Sequence, residues 1–121
     1  SYTSFELFEI NSDQKKYSLG ENIEISCRIK NSGKYDGKEV VQVYIGKINS
    51  KVDRALKELK GFKKIYVKAN HSENIKIKIP VKSLAYYDEM ISDWQVEKGN
   101  YLIYVGNASD NICDKIVVTI I

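Results

Sequence analysis

Apolar positions along the chain recur with a period of two. Ile23, Ile25, Cys27 and Ile29 alternate with Glu24, Ser26, Arg28 and Lys30, the pattern of a strand with one buried face. Ile75, Ile77 and Ile79 alternate with Lys76 and Lys78 in the same way. Val41, Val43 and Ile45 give another strand, and Ile116, Val118 and Ile120 give the last. Tyr101, Ile103 and Val105 are interleaved with Leu102 and Tyr104, so both faces are apolar and the strand belongs inside a sheet. Turn formers separate the runs: Asn31-Ser32-Gly33, Asp36-Gly37, Ala69-Asn70-His71-Ser72, Lys98-Gly99-Asn100 and Gly106-Asn107. The best helical spacing, Val52 to Leu59, is too short to change the class. Seven or eight short strands predict an all-β fold, an antiparallel sandwich of two sheets.

The chain has 121 residues, the size of one domain that can bury its own core. Its apolar runs fall far short of the ~20 residues of a membrane-spanning helix, and no basic-then-apolar leader opens it. A sandwich of this length suggests an immunoglobulin-like or fibronectin type III-like topology. Three local features agree: an inward small residue at Cys27, a single tryptophan at Trp94, and Leu84-Ala85-Tyr86-Tyr87-Asp88 after a strand end. In such folds a tyrosine before a late strand bonds back to the backbone, and spacing leaves open which of Tyr86 and Tyr87 does so.

Charge excludes one class of partner. The net charge is only +3, and just Arg28 and Arg54 among the 19 basic residues are arginine, so the chain lacks the basic footprint of a nucleic-acid binder. Two cysteines and one histidine cannot assemble a zinc-type cluster. Cys27 and Cys113 are expected as reduced thiols. No cofactor, metal or catalytic residue is expected. Asp88, Glu89 and Asp93 lie close in sequence but read as a solvated turn, because adjacent strand residues point to opposite faces. No Gly-x-Ser-x-Gly elbow or phosphate-cradling glycine loop occurs, and His71 sits in an expected hairpin turn. The nine tyrosines allow a stacking platform for sugars. The plainer expectation is that Tyr44, Tyr66, Tyr101 and Tyr104 are ordinary strand residues. Likewise Lys57, Lys60, Lys63 and Lys64 fit a guarded strand edge better than a polyanion site.

Two segments are more specific. Lys38 to Ile45 reads KEVVQVYI, and Arg54 to Ile65 reads RALKELKGFKKI; LAYYD (84–88) and WQVEKGNY (94–101) follow, with Val105-Gly106 beyond. This succession resembles the fibronectin type III-like domain that closes many family 3 glycoside hydrolases, chiefly β-glucosidases and β-xylosidases. Lys98 stands where that family commonly has proline. Residues 1–121 then form one such domain, with Ser1 to Phe5 as a linker from an upstream catalytic region.

The resemblance implies structural roles for Leu59, Gly61, Phe62, Tyr86, Tyr87, Asp88, Trp94 and Gly99. Gly61 suits a bulge or a close backbone approach, Phe62 and Trp94 are expected in the core, and Gly99 suits a turn with positive φ. Ser92-Asp93-Trp94 spells the nucleophile tripeptide of the family's barrel domain. Inside a sandwich pattern it lacks the second carboxyl group and the cleft that a retaining glycosidase needs. The chain is therefore expected to be a non-catalytic module of a β-glucosidase-type enzyme. Its partners would be the catalytic domains of the same polypeptide, with homodimer contacts as an additional role and no nucleic acid or membrane. Val52, Arg54 and Leu56, apolar or anchoring residues outside any strand period, are the expected docking surface. The alternative is a free-standing carbohydrate- or surface-binding module using exposed tyrosines.

Overall fold

The period-two runs become strands that face each other across one core. A computed structural model describes residues 4–108 and 111–121. Its strands are β1 (Phe5–Ser12), β2 (Lys16–Tyr17), β3 (Asn22–Asn31), β4 (Gly37–Lys47), β5 (Glu58–Val67), β6 (Ser72–Pro80), β7 (Tyr86–Asp88), β8 (Asp93–Gln95), β9 (Gly99–Ala108) and β10 (Asn111–Ile120), with a 3₁₀ turn at Val81–Leu84. One sheet has the order β1-β3-β6, the other β2-β10-β9-β4-β5, and β7-β8 is a separate hairpin. The chain is thus an all-β sandwich of two sheets. Its neighbouring strands are antiparallel except for β2, which pairs parallel with β10.

Register explains the core. Ile25 of β3 lies beside Ile77 of β6, and Val43 of β4 beside Val105 of β9. Ile23, Ile25, Ile29, Ile75 and Ile79 from one sheet, with Val41, Val43, Tyr101, Ile103 and Val118 from the other, are essentially inaccessible to solvent. Each such side chain contributes roughly 1.5–3 kcal/mol on burial. β9 lies between β4 and β10, as its two apolar faces predict. β5 is the sheet edge, and it carries Lys60, Lys63 and Lys64, where lysine discourages pairing with another chain. Tyr44, Tyr66, Tyr101 and Tyr104 all lie in strands.

The segment 68–71 differs from expectation. It joins β5 to β6, which lie in different sheets, so His71 stands at a crossing between layers and not in a hairpin. Buried Asn31 organises this corner. Its Nδ2 donates to the carbonyls of Val67 (3.0 Å) and Tyr35 (2.8 Å), and its Oδ1 accepts from the Gly33 amide at 2.9 Å. A buried amide so fully satisfied fixes geometry at little cost.

Several sequence expectations need correction. Residues 48–57 contain no helical turn. Gly106 and Asn107 are not a turn; they continue β9, whose pairing with β10 is irregular there. Phe62 is 59% exposed. The cause is its neighbour: a Cβ on Gly61 would lie 2.8 Å from Ile77 Cγ2, so Gly61 takes the core-facing position and strand alternation turns Phe62 outward. Gly61 also borders a bulge, since Val43 pairs with Gly61 and Tyr44 with Leu59, leaving Lys60 as the extra residue. Trp94 is 62% exposed, because β8 pairs only with β7 and joins neither main sheet. Of the segment 1–5, Phe5 opens β1, Ser4 accepts a hydrogen bond from the Ser32 amide, and Ser1, Tyr2 and Thr3 lie outside the described residues.

Candidate functional site

Two surface excursions hold most of the residues singled out from the sequence. The first is the loop 48–57, which folds back over the end of β4. A Cβ at Gly46 would lie 1.8 Å from the Leu56 carbonyl oxygen, so only glycine allows the loop to close there. Arg54 reaches inward from this loop. Its Nη1 lies 3.2 Å from Glu97 Oε1, its Nη2 donates to the Leu84 carbonyl at 2.9 Å, and its guanidinium stands 5.6 Å from the centre of the Tyr86 ring. The Arg54 and Glu97 side chains are only 12% and 9% exposed.

Glu97 is the hub. Its carboxylate also accepts from the Ser50 hydroxyl and from the Lys51 amide at 3.0 Å. Burial alone would raise its pKa, but the bonds from Ser50, Lys51 and Arg54 outweigh that and hold the carboxyl below its ordinary value. The Glu97 carbonyl accepts from the Tyr101 hydroxyl at 2.7 Å, and burial pushes that hydroxyl's pKa up to about 12. The corner tyrosine of this sandwich is therefore Tyr101, bonded four residues back, and not Tyr86 or Tyr87. Gly99 follows with φ +123°, a conformation other residues rarely adopt.

The second excursion is the β7–β8 hairpin. Tyr87 and Trp94 are directly opposite in its register, and their rings meet edge-to-face with centroids 5.5 Å apart. Met90 and Ile91 at its tip are exposed. Asp88 pairs with Asp93 across the strands, and each carboxylate accepts a nearby backbone amide, from Met90 (2.9 Å) and Trp94 (2.8 Å) respectively. Both acids serve the hairpin's backbone, and Asp93 is exposed. Among the described residues no group of three or more His, Cys, Asp or Glu could hold a metal. Cys27 is a buried free thiol, pushed by burial to about 11, and Cys113 is free and exposed.

Of the three residues expected to form a docking surface, Leu56 is 80% exposed, Val52 is half-buried and Arg54 is engaged inside the molecule. Sequence reasoning missed Glu97, Ser50, Gly46 and Tyr101 in this arrangement. One signal was available: a tyrosine four residues after Glu97, at the start of a strand, is the spacing of the corner device.

Comparison with known proteins places the chain. Residues 39–109 match the fibronectin type III-like domain family. The chain is 40% identical over 112 residues to thermostable β-glucosidase B of Acetivibrio thermocellus, covering 93% of this chain and 15% of that enzyme. It is 42% identical over 118 residues to a β-glucosidase of Kluyveromyces marxianus, covering 93% of this chain and 13% of that protein. The crystal structure of a family 3 β-glucosidase from Bifidobacterium adolescentis superposes with a TM-score of 0.90 at 33% identity, over 98% of this chain and 17% of that one. The chain thus spans only a small part of the length of the relatives it matches, and it belongs to the fibronectin type III-like domain family, in the form found in family 3 β-glucosidases.

Proposed function

We propose that this domain is a non-catalytic C-terminal module of a larger β-glucosidase-type polypeptide, which it stabilises by docking on the catalytic domains. The observation that carries this is the coverage: nearly all of this chain aligns with 13–17% of each of the relatives described above. The parent would remove β-linked sugars by retaining double displacement, with both carboxylates in portions outside this sandwich. Loop 48–57 supplies the docking surface, with Leu56 as the anchor that inserts and Val52 beside it. Arg54 acts from beneath: bound to Glu97, it holds the loop in the shape that presents Leu56. Contacts between two copies of the parent are a secondary role for the same surface.

Two measurements test this. An antibody raised to the domain should detect a native band several times larger than this chain; a band at the size of this chain overturns the proposal. The isolated domain should not hydrolyse a chromogenic β-glucoside, and turnover that survives purification would overturn its non-catalytic role. Within the parent, Leu56→Asp should lower thermal stability while leaving the isolated domain unchanged. Arg54 is unsuitable for that test, because its removal disturbs the domain itself.

A further inference from the structure

A groove of about 430 Å³ runs beside β8, with Trp94, Gln95, Val96, Lys82, Lys98 and Ile120 among its lining residues. No carboxylate side chain lines it. Its composition is that of a small-molecule site: an apolar floor, one aromatic wall and a few polar groups that fix orientation. Trp94 remains 62% exposed while its ring is held against Tyr87 at an interplanar angle of 79°. The indole is thus available and also fixed, so little rotamer freedom is lost when a ligand stacks on it. Its backbone is fixed too, through pairing with Tyr87 and the hydrogen bond that its N–H donates to the Asp93 carboxylate.

A ligand that fits is amphipathic, with a flat apolar face for Trp94 and oxygen acceptors for Lys82 and Lys98. A pyranose ring with equatorial hydroxyls presents flat C–H faces to an aromatic ring and a polar edge all round. The Gln95 amide can both donate and accept, while Lys82 and Lys98 each offer ammonium donors to hydroxyl oxygens. The groove's volume accommodates a short saccharide and falls within the ordinary range of ligand pockets. We propose that the groove beside β8 binds the pyranose rings of a short β-linked gluco-oligosaccharide, with Trp94 as the stacking face and Gln95, Lys82 and Lys98 as hydroxyl partners. The choice of a glucosyl chain rests on the β-glucosidase reading; the stacking site does not. This moves sugar contact from scattered tyrosines to one tryptophan and its neighbours.

Trp94 is the chain's only tryptophan, so tryptophan emission reports on the indole that walls this groove. Titrating cellotetraose into the domain should produce a saturable change in emission with half-saturation in the millimolar range. Sorbitol at matched hydroxyl concentration should produce none. The double substitution Lys82→Ala and Lys98→Ala should weaken binding about three- to tenfold. Trp94→Ala, followed by amide NMR, should abolish the sugar-induced shifts at Gln95, Val96 and Ile120. A linear response, an equal response to sorbitol, or NMR shifts that persist in Trp94→Ala would each overturn the proposal. So would an emission change on simple dilution without any change on adding sugar, which would assign the surface to a second copy of the chain. Native size decides the parent separately: a band at the size of this chain with saturable sugar binding would remove the parent and leave the groove.

Discussion

Residues 48–57 and 86–95 are two excursions of equal length from one sandwich, and they treat their side chains in opposite ways. The first has no regular structure, yet it sinks a guanidinium onto Glu97 and closes over Gly46. The second is a paired hairpin, yet it leaves Tyr87, Met90, Ile91 and Trp94 at the surface. Backbone regularity and burial are therefore independent. What fixes the loop is a polar hub that recruits three donors to one carboxylate. What fixes the hairpin is its own cross-strand pairing, together with Tyr86 against the Arg54 guanidinium.

The largest effect should come from Gly46→Ala. The new methyl would overlap the Leu56 carbonyl, and since backbone cannot yield as a flexible side chain does, the loop must lift, costing about 3 kcal/mol or more in urea unfolding. A milder loss would mean that the loop is less tightly seated than its geometry implies. Arg54→Ala comes next. It removes one of three donors to the nearly closed Glu97 carboxylate and the donor to the Leu84 carbonyl, at about 2–3 kcal/mol.

This second loss should depend on pH in a defined direction. The folded Glu97 carboxyl sits below its ordinary value of 4.5, so its contribution is fully present above that value and disappears as pH falls through the lower, folded one. The stability gap between the wild type and Arg54→Ala should therefore be widest near neutrality and narrow in acid; a constant gap would locate the effect in packing. Trp94→Ala should have the smallest effect, within about 0.5 kcal/mol, as befits a surface side chain. A cost well above that would make the hairpin part of the core's support and erase the contrast between the two excursions.

The sequence made five strands legible: β3, β4, β6 and β10 because each buries a period-two face, and β9 because it is apolar on both faces. β1 was hidden by its irregular pairing between Phe8 and Asn11, and β2 by having only two residues. Phe62 and Trp94 misled because their place in the family motif and their apolar area suggested burial. Their facing depends on register and on which sheet a strand joins, and neither is written locally. Arg54 was noticed, but its partner Glu97 lies 43 residues away, beyond any pattern of spacing. The positive φ at Gly99 was legible because it is a property of the turn itself.

The parallel pairing of β2 with β10 carries a consequence for biosynthesis. Tyr17 has no exposed surface, and its strand partner is Ile120. These two positions lie 103 residues apart, so the pairing closes a long loop, a contact of the kind that slows folding. During synthesis β2 is complete well before β10, so Tyr17 keeps the bond its hydroxyl donates to Asp13 but lacks its strand partner until the end of the sandwich is made. Until β10 docks, β9 presents an unpaired edge, the kind of exposure on which incompletely folded β domains aggregate.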